Sequence, residues 1–83
     1  MGEYDEHTVL DTLRRHIVAV VPEVDPAGVT RNVSMADLGC NSIDRAEVVT
    51  LTLEELRLDV PVAEFQGLPD LGALVDLMRT YQR

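Results

Sequence analysis

The run Asp37-Leu38-Gly39-Cys40-Asn41-Ser42-Ile43-Asp44 is a turn that leads into an apolar-periodic segment, and Ser42 stands at the junction. Gly39 signals the turn, and Asn41 is a strong helix N-cap residue. With Asn41 as the cap, Asp44 falls at the third helical position, as in a variant of the capping box. The Ser42 hydroxyl is then left free. A hydroxyl in that place is suited to carry a phosphodiester, because unpaired backbone N–H groups and the helix dipole both favour negative charge there. The chemistry expected is a serine that is modified rather than one that catalyses. A plain capping role for Ser42 is the competing reading, and Asn41 weakens it.

Other chemistry finds less support. A nucleophilic serine needs a base and an acid to orient that base. The only histidines, His7 and His16, both fall in the first helical segment, and the flanks of Ser42 do not match a Gly-x-Ser-x-Gly elbow. His7, His16 and Cys40 lack the spacing of metal ligands, and Asp37 to Glu47 does not fit a calcium loop. Cys40 is the only cysteine, so no internal disulfide can form. It reads as a small, partly buried loop residue.

Composition limits the partners. The formal net charge is −8, and every basic residue is arginine. Nucleic acid and anionic membranes are poor ligands for such a surface, since binding them needs a basic face. A protein with a basic docking patch is the fitting partner. At 46% apolar and 27% charged residues the chain is globular rather than disordered. With 83 residues it forms one domain, 1–83, with a small core and little room for a walled cavity of roughly 300 Å³ or more. No early apolar run is long enough for a signal or membrane segment, and a cytoplasmic chain is expected.

The elements that must hold Ser42 follow from periodicity. A first helix is expected from about Asp5 to Val21, with Leu10, Leu13, Ile17 and Val20 as its stripe, Val9, Val18 and Val21 widening it, and Pro22 as its stop. The long connection from Pro22 to Asn41 carries Val24, Val29, Val33, Met35 and Leu38, so it should be pinned onto the helices. The second helix runs from about Ser42 to Leu56, with Ile43, Ala46, Val49, Leu53 and Leu56 as its core face. Val48 and Leu51 sit off that face, either as core margin or as an apolar docking surface. Pro61 suits the first position of a short helix ending near Phe65, with Gly67 as its stop. Asp70 caps the last helix, whose core stripe is Leu71, Leu74, Val75, Met78 and Tyr81. The sum is an all-α bundle of three main helices and one short one, with a long first loop.

Asp37-Leu38-Gly39 followed by Ser42-Ile43, together with the flanking helices, resembles an acyl carrier protein over essentially the whole chain. Such proteins carry an Asp-Leu-Gly-x-x-Ser motif whose serine bears 4′-phosphopantetheine, which implies attachment at Ser42. The residue before that serine is usually Asp, and here it is Asn41. The run Asn41-Ser42-Ile43-Asp44-Arg45-Ala46-Glu47 is similar to a narrower group, the freestanding donor carriers of polyketide β-branching cassettes. That resemblance implies a monomer loaded by a phosphopantetheinyl transferase and charged with malonyl by a malonyl acyltransferase. A decarboxylating ketosynthase-like enzyme then yields acetyl, and an HMG-CoA-synthase-like enzyme receives it. It also implies a partner-recognition surface at Asn41, Ile43, Asp44, Arg45, Glu47 and Val48. Arg45 is open to a partner's acid or to Asp44 and Glu47 on its own helix. The alternatives are a general fatty-acid, polyketide or peptidyl carrier and, more remotely, a non-carrier acidic helical adaptor.

Overall fold

The computed structural model describes residues 4–81, so the ends of the expected 1–83 domain, 1–3 and 82–83, lie outside the described residues. Among the described residues there are three α-helices: α1 (Glu6–Val20), α2 (Ser42–Leu56) and α3 (Leu71–Tyr81). Two 3₁₀ turns, Pro26–Gly28 and Val62–Phe65, lie in the connections. The all-α architecture expected from periodicity is therefore the observed one. No helix of the described residues is long and apolar enough to cross a membrane.

Local chemistry sets the helix ends. The Asp5 carboxylate accepts from the Thr8 N–H at 2.8 Å and starts α1, which closes where the Val21 N–H donates to the Ile17 carbonyl, just before Pro22. α2 ends at Arg57, which takes the left-handed conformation at φ 59° while Leu58 N–H donates back to Leu53 O at 2.9 Å. Pro61 precedes the short turn as its cap rather than occupying its first position. The Asp70 carboxylate caps α3 by accepting from the Ala73 N–H at 2.9 Å.

Leu13, Ile17, Val49, Leu53, Leu74 and Met78 converge in one core, joined by Val9, Val48, Leu71 and Val75. The buried threonines Thr12 and Thr52 return their hydroxyls to the carbonyls of Thr8 and Val48, so burial leaves neither unpaired. Three expectations change. Ile43 is 76% exposed and Ala46 is also exposed, whereas Val48 is fully buried, so the core face of α2 is turned about its axis from the expected stripe. Val48 therefore belongs to the core, and Leu51 is half-buried. Tyr81 is 41% exposed and donates its hydroxyl to Glu64 at 3.3 Å instead of joining the core stripe of α3. Within α1, Leu10, Val18 and Val20 are half-buried at the margin rather than central.

The first loop is pinned, as its apolar content predicts. Val24, Val29 and Met35 are buried. Arg14 on α1 donates to the carbonyls of Pro26 and Val29 at 3.2 and 2.9 Å. At the far end the loop meets α3, where Leu71 N–H donates to Val33 O at 2.9 Å and Gly72 N–H to Arg31 O at 3.0 Å. Those bonds satisfy donors that a helix start leaves unpaired. The Arg31 guanidinium bridges Glu6 on α1 at 2.7 Å and Asp76 on α3 at 3.1 Å. Gly72 makes this close approach possible, because a Cβ there would lie 3.0–3.1 Å from the Arg31 guanidinium and carbonyl oxygen. α1 thus packs on both other helices, while α2 meets the Val62–Phe65 turn more than it meets α3.

Candidate functional site: Ser42 at the mouth of the α2–α3 groove

The turn before α2 is built by reciprocal hydrogen bonds. The Ser34 hydroxyl accepts from Asp37 N–H at 3.0 Å, and the Asp37 carboxylate accepts from Ser34 N–H at 3.1 Å. Leu38, Gly39 and Cys40 N–H groups then donate to Met35 and Ala36 carbonyls, with Gly39 at φ 90°, where a side chain would be strained. Asn41 follows as the N-cap. Its side chain accepts from Asp44 N–H at 2.8 Å, and the Asp44 carboxylate accepts from Asn41 N–H at 3.1 Å. The capping box read from the sequence is present.

Its consequence is the state of Ser42, which occupies the first position of α2 and is exposed. No other described group hydrogen-bonds its hydroxyl, since Asn41 and Asp44 supply the cap between themselves. The N–H groups of the first turn and the dipole of a four-turn helix face the same point. An anion linked to that oxygen is favoured there, and the oxygen is open to a modifying enzyme. A phosphodiester-linked arm fits the residues present.

Ser42 also lies on the rim of a groove of about 530 Å³ between α2 and the segment leading into α3. Val49, Phe65, Leu71 and Leu74 give it an apolar floor, with Arg45 beside Ser42 at the edge. A space of that size was not expected for a chain this short. Its walls are α2, the turn residues Ser34 to Ala36, and the stretch from Val62 and Phe65 into the start of α3.

The remaining residues of the expected surface fall in different places. Ile43 and Glu47 are exposed on the outward side of α2, and neither lines the groove. Asn41 is exposed, but its side chain is committed to the cap, as is that of half-buried Asp44. Arg45 pairs with neither Asp44 nor Glu47; its guanidinium donates to the Cys40 carbonyl at 3.4 Å and lines the groove. Val48, fully buried, offers a partner no surface in the free protein, so that expectation is corrected. Apolar type alone does not tell the two sides of a helix apart. The spacing Ser42, Arg45, Val49 (i, i+3, i+7) is the signal that could have placed Arg45 toward the groove.

Cys40 is 4% exposed. Burial first, and the Asp44 carboxylate second, push its thiol above the ordinary range, against a smaller opposite effect of Arg45. The thiolate is the reactive form of cysteine, so burial and this shift both disfavour reaction at Cys40. His16 on α1 is hydrogen-bonded through its ring to Glu55 on α2 at 2.8 Å, and Arg15 reaches the same carboxylate at 2.6 Å. That cluster ties α1 to α2 and is remote in sequence from Ser42.

The family described as "Phosphopantetheine attachment site" matches residues 11–78. The chain is 32% identical over 74 residues to the polyketide biosynthesis acyl-carrier-protein AcpK of Bacillus subtilis, covering 89% of this chain and 90% of that protein. It also superposes, with a TM-score of 0.84 and 27% identity, on a chain of the crystal structure of the curacin biosynthetic pathway HMG synthase in complex with acetyl donor-ACP. That likeness covers 93% of this chain and 99% of the other. With the family model matching residues 11–78 and a carrier relative matched over most of both chains, the chain belongs to the phosphopantetheine-attachment family and is an acyl carrier protein, a non-catalytic carrier.

Proposed function

We propose that the carrier bears its arm on Ser42 and serves as the acetyl donor to an HMG-CoA-synthase-like enzyme in polyketide β-branching. The observation that carries the attachment site is the Asn41–Asp44 capping box, which leaves the Ser42 hydroxyl unused and exposed. The donor role is supported by similarity to a polyketide carrier and to a chain of an HMG synthase–donor complex. When bound, phosphopantetheine supplies a flexible arm ending in a thiol that holds an acyl group as a thioester. The protein's own contribution is to anchor that arm rigidly and to present a recognisable surface beside it.

On this reading the surface is the outward side of α2 next to Ser42, with exposed Ile43 as the apolar contact and Glu47 as the charge, framed by Asn41 and Asp44. Acetyl and the arm are the same on every carrier, so a receiving enzyme can discriminate only through the protein. Asn41 in place of the usual Asp removes one negative charge beside the anchor, which weakens the fit to enzymes that demand it. The net charge of −8 steers encounter with basic patches and permits fast release from a small contact. The other partners of this reading are a phosphopantetheinyl transferase, a malonyl acyltransferase and a decarboxylating ketosynthase-like enzyme, with the carrier acting as a cytoplasmic monomer.

The test compares acetyl transfer to one HMG-CoA-synthase-like enzyme from this carrier and from a general fatty-acid carrier. A preference of about a hundredfold corresponds to ~2.7 kcal/mol, within reach of a few surface contacts. Equal rates would remove the donor reading and leave a general carrier.

A further inference from the structure

We infer that Arg45 positions the arm: its guanidinium pairs with the phosphodiester on Ser42 and lays the arm over the α2–α3 groove, away from the Ile43–Glu47 side. This rests on attachment at Ser42.

Placement is the first argument. Ser42, Arg45 and Val49 all line the groove, whereas Ile43 and Glu47 do not. Side chains three apart on a helix are neighbours, with Cβ atoms about 5–6 Å apart. A phosphate linked to the Ser42 oxygen therefore lies within reach of a long side chain at position 45.

Charge is the second. From Asn32 to Leu56 Arg45 is the only basic residue, among Asp37, Asp44, Glu47, Glu54 and Glu55. A phosphodiester at Ser42 meets repulsion from Asp44 and Glu47 and finds one cationic side chain close by. Arg45 is also free to respond. Arg14, Arg15 and Arg31 are each held by carboxylates. Half-buried Arg45 has no carboxylate within ion-pairing distance among the described residues, and its hydrogen bond to Cys40 O, at 3.4 Å, is long. Most of its five donors remain for an anion, and a guanidinium matches a phosphate through paired N–H groups. Arg57 is likewise without a carboxylate partner among the described residues, but it is exposed at the other end of α2 and serves as a control.

The experiment uses the unmodified and phosphopantetheinylated forms of the wild type, Arg45→Gln, Arg45→Lys and Arg57→Gln, with loading verified by intact mass. The readouts are the arginine Nε–H resonances, the ³¹P resonance and the change in Tm on loading. In the wild type the Arg45 Nε–H signal moves on loading, and that of Arg57 does not. Arg45→Gln folds with a similar unmodified Tm, yet its change in Tm on loading is less favourable by a few degrees and its ³¹P signal is displaced. Arg45→Lys falls between, because it keeps the charge without the planar fork. Contacts from the arm to Phe65 and Leu71, seen as nuclear Overhauser effects, weaken in the Gln variant. An Arg45 signal unmoved by loading, or equal Tm changes in wild type and Arg45→Gln, overturns the inference while the attachment site stands. Loading that leaves Ser42 unmodified overturns both.

Discussion

The start of α3, against which the first loop packs, and the start of α2 are both loop-to-helix entries, and they use their polar groups in opposite ways. At the α3 entry, loop carbonyls take the first N–H groups, Asp70 caps the helix, and Arg31 ties Glu6 to Asp76. Arg31 packs so closely on Gly72 that even a methyl group there would be crowded. At the α2 entry the cap is equally complete, but Asn41 and Asp44 complete it alone. Ser42 and Ile43 are left exposed, and Arg45 keeps one long hydrogen bond. Equal local order therefore leaves one entry fully consumed in holding the bundle and the other with groups to spare. A carrier needs both: a frame that does not move, and an anchor that nothing on the protein occupies.

Breaking the α3 entry should cost the most stability and touch the chemistry least. Gly72→Ala crowds the Arg31 guanidinium and carbonyl oxygen, and an overpacking cost of about 1–3 kcal/mol should outweigh the gain of about 1 kcal/mol in helix propensity. Urea unfolding measures this, and phosphopantetheinylation of the folded variant should proceed at the wild-type rate. Breaking the α2 entry should do less to stability and more to modification. Asn41→Ala removes the cap at a cost of ~1 kcal/mol, and it should slow modification because the first turn that presents Ser42 frays. Equal modification rates in the two variants would erase the distinction between the entries.

The smallest effect is expected at the α1–α2 seam. Arg15 first, and His16 second, hold the Glu55 carboxyl below the ordinary carboxylate range. A lowered folded-state pKa gives stability that is present above the unfolded value and lost as pH falls through the folded one. Glu55 is surface-exposed, so the gain at neutral pH should stay below ~1 kcal/mol. Glu55→Gln should therefore be slightly less stable than wild type near neutrality, and the difference should close in acid, below the carboxylate range. Unfolding curves across that pH span check the sign.

The α2 entry was legible because its determinants are local. Gly39, Asn41 and Asp44 lie within six residues, and turn and cap chemistry depends on little else. The boundaries of α2 and the six-residue core followed from the same kind of signal. The orientation of α2 did not. Ile43, Val48, Val49, Leu51, Leu53 and Leu56 put apolar side chains around most of the helix, so its buried side is chosen by what α1 and the Val62–Phe65 turn bring against it. Thr52 could enter the core because its hydroxyl bonds within its own helix. The Arg31 bridge was hidden for a related reason: Glu6, Arg31 and Asp76 are far apart in sequence, and the partner glycine carries no charge pattern. The groove was hidden too, since its walls come from segments far apart in sequence.

The spare group at the α2 entry, Ser42, is the proposed point of attachment of the arm. Intact-protein mass after incubation with a phosphopantetheinyl transferase and coenzyme A tests it most directly, on the wild type and on Ser42→Ala. The wild type should gain one phosphopantetheinyl group, and Ser42→Ala, folded with an unchanged Tm, should gain none. A modified Ser42→Ala protein, or a wild type that stays unmodified beside a carrier that loads, would contradict it.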